Sequence, residues 1–359
     1  MDAVFNICYQ ELAVKYPQLG EFIDNGRFFY SYKGQCLLTS VLLREYFNIH
    51  IHILEGHLIP AIPSRVLYLK IVKRILEESH CLRSSVRGLD IGTGPYAIYA
   101  LLGHRGYQWD MTGIDIDPMS VLNAGRTILD NGLSIIVKEG DGIVGEGYDF
   151  MVCNPPFYSS KEEMDEKSKQ KQTLNRESVV AKDTELVCEG GEAGFVRRLV
   201  DQSKGNQCVW FSSLLGIKSS VVELISYLQQ VHCVNFHVQE YHLGSTKRWV
   251  LFWSHQYYRP QILNSSWSNV KATVFENKFD LAKVRSVISS MPVEIEENGS
   301  ELQITVPGIV WSRQYRRSPS RLIKSKHIFI VSPTQIHFLY GQYFKTFQSF
   351  YNYLKQHLI

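Results

Sequence analysis

Apolar and polar positions change their spacing along this chain, and the changes mark out its parts. Leu37 to Phe47 places Leu38, Val41, Leu42 and Tyr46 on one face and predicts a helix. Pro60 and Pro63 interrupt the chain, and Arg65 to Leu76 repeats the helical spacing through Val66, Leu69, Ile71, Val72 and Ile75. From residue 86 short apolar runs alternate with helical stretches. Val86–Ile91, Met111–Ile116, Ser134–Lys138, Tyr148–Cys153 and Cys208–Leu215 are predicted strands. Pro118–Asp130, Ala193–Gln202 and Ser219–Val231 are predicted helices between them, and Val234–Tyr241 with Trp249–Ser254 closes as an antiparallel pair. This order implies an α/β fold with a seven-stranded doubly wound sheet. Right-handed crossovers then place the loops after the first four strands along one edge.

Two stretches depart from this rhythm. Tyr158 to Val187 is rich in Lys, Glu, Ser and Gln with little apolar periodicity, so it reads as a segment closing over a bound nucleotide or as a passive surface insertion. Residues 271–359 form a separate pattern. A helix over Asp280–Ser289 precedes strands at Val293–Glu296 and Leu302–Val306, joined by Asn298-Gly299. Strands at His327–Val331 and Ile336–Tyr340 and a helix over Tyr343–Ile359 complete a small α+β module. The expected layout is an N-terminal extension over 1–62, a main domain over 63–265 and the module over 271–359.

Composition narrows the class. Of 359 residues 45% are hydrophobic and 20% charged, enough for a large core. No apolar run reaches membrane-spanning length, and the start lacks the basic end and apolar stretch of a signal peptide. Cysteines at 8, 36, 81, 153, 188, 208 and 233 are odd in number and form no Cys-x-x-Cys pair, which points to free thiols and no metal site. His50, His52 and His57 do not make a helical clamp and read as polar positions on and after a strand. Net charge is only +3, but Arg313, Arg316, Arg317, Arg321, Lys324 and Lys326 cluster with no acid between Gln303 and Lys326. That stretch is a solvated loop or a phosphate-contacting patch.

The chemistry concentrates at Asn154-Pro155-Pro156-Phe157, aimed out of the carboxyl edge by the fourth strand. An amide oxygen and a proline-flanked carbonyl accept hydrogen bonds from a planar amino group, and an aromatic ring stacks on its base. This is equipment for methylating an exocyclic amine, of which adenine N6 is the commonest. Leu89-Asp90-Ile91-Gly92-Thr93-Gly94-Pro95 supplies a glycine turn after the first strand, and Asp115 ends the second, where a carboxylate accepts both ribose hydroxyls of a nucleoside cofactor. Gly92-x-Gly94-x-x-Ala97 also fits a nicotinamide dehydrogenase. Against that reading, Asp90 would face a cofactor end better suited to the ammonium of S-adenosylmethionine, and the strand-four tetrapeptide has no part in hydride transfer. Gly140-Asp141 closes the third strand, beside the expected cofactor adenine or as a simple turn. Glu189-Gly190-Gly191-Glu192-x-x-Phe195 reads as a tight turn with Glu192 near a helix start, or as capping alone.

These segments resemble the methyltransferase-like 16 family of RNA adenine-N6 methyltransferases. The resemblance rests on Lys15-Tyr16-Pro17, Leu42-Leu43-Arg44-Glu45, Leu58-Ile59-Pro60-x-x-Pro63-x-Arg65, the Asp90 to Gly94 turn, Asn154 to Phe157 and Glu189 to Glu192, and covers roughly residues 10–255. It implies a Rossmann-like class I methyltransferase using S-adenosyl-L-methionine, without metal. The implied substrate is U6 small nuclear RNA, with nuclear residence and a connection to mRNA splicing; the cytoplasm is the alternative location. A bacterial branch implies ribosomal RNA instead. Arg65, Gly92, Tyr96, Asp115 and Asn154 become cofactor contacts by the match, although Tyr96 stands where a small serine is expected and Asp115 replaces a glutamate. Lys15, Arg27, Lys33 and Arg44 become RNA contacts, and the C-terminal module resembles kinase-associated-1-like modules that grip RNA. Single-stranded or bulged RNA is favoured, because an unpaired adenine is easier to extrude. A protein-glutamine methyltransferase and a non-catalytic RNA-binding protein are the remaining rivals.

Overall fold

A computed structural model describes residues 7–29, 31–80, 84–164, 166, 180–244, 246–262, 267, 271–318 and 325–358. The chain divides into two compact units, Met1–Lys73 with Arg83–His255, and Arg74–Leu82 with Gln256–Ile359. Residues 165 and 167–179 of the polar stretch between Tyr158 and Val187, together with Arg321 and Lys324, lie outside the described residues.

The larger unit opens with α1 (Tyr9–Lys15), a 3-10 turn (Pro17–Phe22) and a two-residue hairpin, β1 (Ile23–Asp24) with β2 (Arg27–Phe28). These elements are too short to leave a periodic signal. Helix α2 (Tyr32–Phe47) begins earlier than the apolar face from Leu37 suggests, because Ser31 Oγ accepts from Gly34 N at 3.0 Å and caps it. It ends at Asn48, in the left-handed conformation that asparagine tolerates (φ 53°). Helix α3 (Ile62–Glu78) carries Pro63 in its first turn, where a missing N–H breaks no helical bond. No strand forms around His50 and His52, contrary to the sequence reading; residues 48–58 are a loop.

The sheet follows: β3 (Arg87–Ile91), α4 (Ile98–Tyr107), β4 (Asp110–Asp115), α5 (Pro118–Asp130), β5 (Ile136–Glu139), β6 (Phe150–Cys153), α6 (Asp183–Leu186), α7 (Gly191–Gln202), β7 (Trp210–Leu215), α8 (Lys218–Gln230), β8 (Asn235–Leu243) and β9 (Thr246–Ser254). The strand order is β5-β4-β3-β6-β7-β9-β8. The first five are parallel, and β9 runs antiparallel between β7 and β8. The fold is therefore the Rossmann-like, seven-stranded doubly wound sheet that the alternation predicts. Strand order reverses at β3, flanked by β4 and β6, so a crevice opens at their carboxyl ends. Gly88 in β3 is required by packing. A Cβ there would lie 2.3 Å from Phe150 Cζ, and Phe150 itself packs, tilted by 59°, against Trp109 with ring centroids 4.6 Å apart.

The smaller unit contains β10 (Val274–Glu276), α9 (Leu281–Ile288), β11 (Glu294–Asn298), β12 (Glu301–Val306), α10 (Arg313–Arg317), β13 (His327–Val331), β14 (Gln335–Tyr340) and α11 (Phe344–Leu358). Its antiparallel sheet has the order β10-β14-β13-β12-β11. Only three residues long, β10 escapes any alternation test. Phe329, Phe338, Phe347 and Phe350 form an aromatic core with Val284, Ile288 and Leu354 from the two longer helices. No helix among the described residues is long and apolar enough to cross a membrane.

Burial drives the pKa of His337 down from its ordinary value to about 4, although its Nε2 donates to Arg259 O at 3.0 Å. Its neutral form is the one that folds. Stability from this residue is complete above about pH 6.5 and is lost as pH falls towards 4, by roughly 3 kcal/mol at saturation. Urea melts of the whole chain at pH 7 and pH 4.5 should show the smaller unit weakening, and His337→Gln should remove about that much of the difference.

Candidate active site at the carboxyl edge of the sheet

Three strand ends build the site. After β3 the chain turns through Gly92 (φ 65°) and Gly94 (φ 64°), with no atom within 4 Å of where a Cβ would stand on either. The turn needs glycine for its backbone and leaves an open face for a ligand. Thr93 ties it down: its N donates to Ile114 O at 2.9 Å and its Oγ1 to Asp90 Oδ2 at 2.6 Å. At the end of β4, Asp115 Oδ2 accepts from Gly94 N at 2.8 Å and Oδ1 from Asp117 N at 2.9 Å. Burial raises the Asp115 pKa, opposed by these two backbone bonds. Asn154 leaves β6 half-buried opposite them.

A cavity brings together Arg65, Gly92, Gly94, Tyr96, Asp115, Gly140, Asp141, Asn154 and Pro156. Asp90, Pro155 and Phe157 are not among its lining residues. Asp90 corrects the sequence reading. Its carboxylate does not face a ligand but lies wholly buried beneath the glycine turn, with Oδ1 unpartnered. Desolvation pushes its pKa up to about 7, against the Thr93 bond. Phe157 is half-buried on the outer side, where a Cβ on Gly216 would stand 3.9 Å from its Cδ1. Glu192 holds that wall. Its Oε2 accepts from Gly216 N at 2.8 Å and its Oε1 from Ile217 N at 2.9 Å. It is thus a buried brace for the turn after β7, which helix position alone did not foretell.

Asn154 is oriented by Arg65. The guanidinium Nη1 donates to Asn154 Oδ1 and to the Tyr99 hydroxyl, each at 3.0 Å. One side of the amide oxygen is therefore engaged, and one lone pair remains for an incoming amine.

Two further segments wall the cavity: the 48–58 loop, which pattern did not mark, and the polar stretch that the sequence marks as a closing segment or a passive insertion. Tyr96 turns its side chain away from the ligand face: its hydroxyl accepts from Leu54 N at 3.2 Å and donates to Leu54 O at 3.1 Å. The larger residue thus staples the 48–58 loop to the glycine turn, and Leu58 and Pro60 beyond it line the cavity. Glu185, returning from the polar stretch, accepts from Leu58 N at 3.0 Å and lies 3.1 Å from His57 Nδ1. His57, in the loop, is buried. Lys182 Nζ pairs with Asp117 at 2.9 Å. Tyr158 N and O bond Leu186 O and Cys188 N at 2.8 and 3.0 Å, joining this arm to the residue after Phe157.

A family model described as RNA methyltransferase matches residues 8–257. The chain belongs to this family. A U6 small nuclear RNA (adenine-(43)-N(6))-methyltransferase of Schizosaccharomyces pombe is 29% identical over 82% of this chain and 83% of its own length. A ribosomal RNA large subunit methyltransferase F of Aeromonas salmonicida is 37% identical over 60% of this chain and 76% of its own. Among solved structures, the hMettl16 catalytic domain in complex with MAT2A 3'UTR hairpin 1 superposes with a TM-score of 0.61 at 31% identity, covering 69% of this chain and 91% of that one. The N-terminal domain of human METTL16 in complex with SAH gives 0.56 at 30%, covering 69% and 94%.

In this RNA methyltransferase the basic candidates are spread over both units. Arg27, Arg44, Arg313, Arg316, Arg317 and Lys326 are exposed. Lys15 is engaged by Glu45, whose oxygens lie at 2.6 and 2.8 Å, and Lys33 stands 3.8 Å from Glu21. Lys15 thus brings little net charge. Arg313, Arg316 and Arg317 form the short α10, not an open loop. Among the described residues no cluster of His, Cys, Asp or Glu could hold a metal ion.

Tyr96→Phe deletes both bonds to Leu54, whose backbone groups are half-buried. It should lower stability by about 1 kcal/mol in urea melts, and it should weaken calorimetric binding of S-adenosylhomocysteine by loosening the Leu58 and Pro60 wall.

Proposed function

We propose that this RNA methyltransferase transfers the methyl of S-adenosylmethionine to N6 of an adenosine in U6 small nuclear RNA. The observation that carries the reading is the Asn154 amide oxygen, held by Arg65 at the mouth of a cavity built for a nucleoside donor. The cavity suits that donor chemically. Arg65 is a buried cation whose Nε has no partner, ready for a carboxylate, and Asp115 offers a carboxylate to ribose hydroxyls. Gly92, Gly94, Tyr96, Gly140 and Asp141 contribute backbone or lining to the same space.

The bound donor supplies a sulfonium methyl, whose carbon–sulfur bond breaks on transfer with its electron pair left on sulfur. The protein prepares the other partner. An adenine amino nitrogen is a weak nucleophile because its lone pair is delocalised into the ring. Asn154 Oδ1 and Pro155 O accept its two hydrogens, which favours the pyramidal form and frees the lone pair. Phe157 stacks on the extruded base, and Glu192 and Gly216 support Phe157 from behind. The proton leaves to water after the methyl arrives, so positioning supplies most of the rate.

The choice of RNA rests on the relatives. The match to the fission-yeast U6 enzyme runs over 326 residues, against 239 for the more identical bacterial ribosomal enzyme. The longer correspondence favours U6; the higher identity keeps ribosomal RNA as the second reading. Residence in the nucleus, RNA contacts from Lys15, Arg27, Lys33 and Arg44, and an RNA-gripping role for the C-terminal module belong to the same proposal. Arg313, Arg316 and Arg317 are the described cations of that module that would carry it.

Labelled methyl transfer to total RNA, followed by mapping, should place the label on U6 adenosine N6; label confined to ribosomal RNA selects the second reading. Asn154→Ala should lower transfer about a hundredfold or more with an unchanged melting temperature. Arg316→Gln with Arg317→Gln should weaken RNA binding and flatten its log–log salt slope by roughly 1.4; an unchanged slope removes the module from the proposal.

A further inference from the structure

Tyr99 has had no role so far. It sits in the first turn of α4, almost fully buried, and still lines the cavity. Its hydroxyl accepts from Arg65 Nη1 at 3.0 Å, and its ring lies 5.4 Å from the guanidinium carbon. The ring is in turn fixed edge-on by Tyr68 at 5.3 Å and 83°. Tyr68 is anchored by its own hydroxyl, 2.9 Å from Ser212 Oγ and accepting from Cys153 N at 3.4 Å. A continuous chain of contacts therefore runs from the sheet through Tyr68, Tyr99 and Arg65 to Asn154.

The chemistry of this chain is directional. A guanidinium only donates, so the Asn154 atom that meets Arg65 must be the oxygen. An amide turned the other way would set its NH2 against Arg65 and present the wrong atom to an adenine amine as well. Among the described residues no carboxylate forms an ion pair with Arg65, so its protein-given position rests on Tyr99 and Asn154. Asn154 cannot both be held by Arg65 and hold it in place. The fixed member is Tyr99.

We propose that Tyr99 is a positioning residue for methyl transfer: its hydroxyl and ring set Arg65, and Arg65 sets the Asn154 amide with its oxygen towards the reacting amine. This inference rests on the amine-methylating reading of the site. Tyr99 is assigned no contact with the base, and its effect is transmitted through one nitrogen shared between two acceptors.

The test is Tyr99→Phe, which keeps the ring and removes the hydroxyl. With the mapped RNA substrate, kcat should fall about tenfold, the loss of one hydrogen bond to a charged group. RNA affinity should stay within about twofold, and the fall in kcat, read at saturating donor, should exceed any loss of S-adenosylhomocysteine affinity through Arg65, a split that general loosening of the fold would not give. Nitrogen-15 resonances of Arg65 provide a readout independent of turnover: rotation about its Cζ–Nε bond should be slow in the wild type and faster in the variant. A variant with unreduced kcat, a loss wholly explained by weaker donor binding, or an Arg65 equally mobile in both proteins overturns the proposal. If the wild type transfers no methyl to an amine, the functional reading fails instead, and the Arg65 resonance still decides what Tyr99 does. If Tyr99→Phe melts lower, both proteins are compared at a temperature where both are folded, and the same outcomes apply.

Discussion

A buried guanidinium with no carboxylate of its own is the constraint around which the larger unit is arranged. Removing such a charge from water is unfavourable by several kcal/mol unless oxygen atoms replace the lost hydration. Two oxygens come from opposite sides of the sheet crevice, the Tyr99 hydroxyl on α4 and the Asn154 amide after β6. Arg65 reaches them only because α3 starts at Ile62, behind Pro60 and with Pro63 in its first turn. The acceptor end and the donor end of the crevice are thereby tied to one side chain, and an anionic ligand group is what the remaining donors call for.

Around that cation stand carboxylates that the fold has partly stripped of water. Asp90 feels the Arg65 charge without pairing with it, and burial still lifts its pKa to about 7. Asp115 and Glu192 are raised by the same cause, each moderated by backbone N–H groups that it accepts from. The three acids divide the work of shaping the site. Asp90 fastens the glycine turn through Thr93, Asp115 faces the cavity, and Glu192 fixes the wall behind Phe157. Only the second is placed to meet a ligand directly.

How much of this could be read in advance depended on how local each signal was. The sheet was legible because β3, β4, β6 and β7 are mostly buried runs and helices stand between most of the strands, one of them, α5, capped by Asp117. The glycine turn and the Asn154 tetrapeptide were legible because their chemistry is contained in consecutive residues. The orientation of Asp90 was not, since sequence shows that it precedes a glycine but not that Thr93 bends back to cover it. The roles of Tyr96, Glu185 and His57 were also hidden. Each depends on a partner many positions away, and nothing in periodicity marks a tyrosine that will bond the backbone of a distant loop. The hairpin β1–β2 and the short β10 were missed for want of length.

The smaller unit is assembled from two stretches of chain, one of them only Arg74–Leu82. Within it the His80 ring lies 6.5 Å from that of His337. During synthesis that early stretch leaves the ribosome well before Gln256, a delay of about ten to thirty seconds at ordinary elongation rates. The nascent polypeptide therefore carries an unfinished piece of one fold while the other is still being made. A translation product stopped after His255 would keep that piece permanently without its companions.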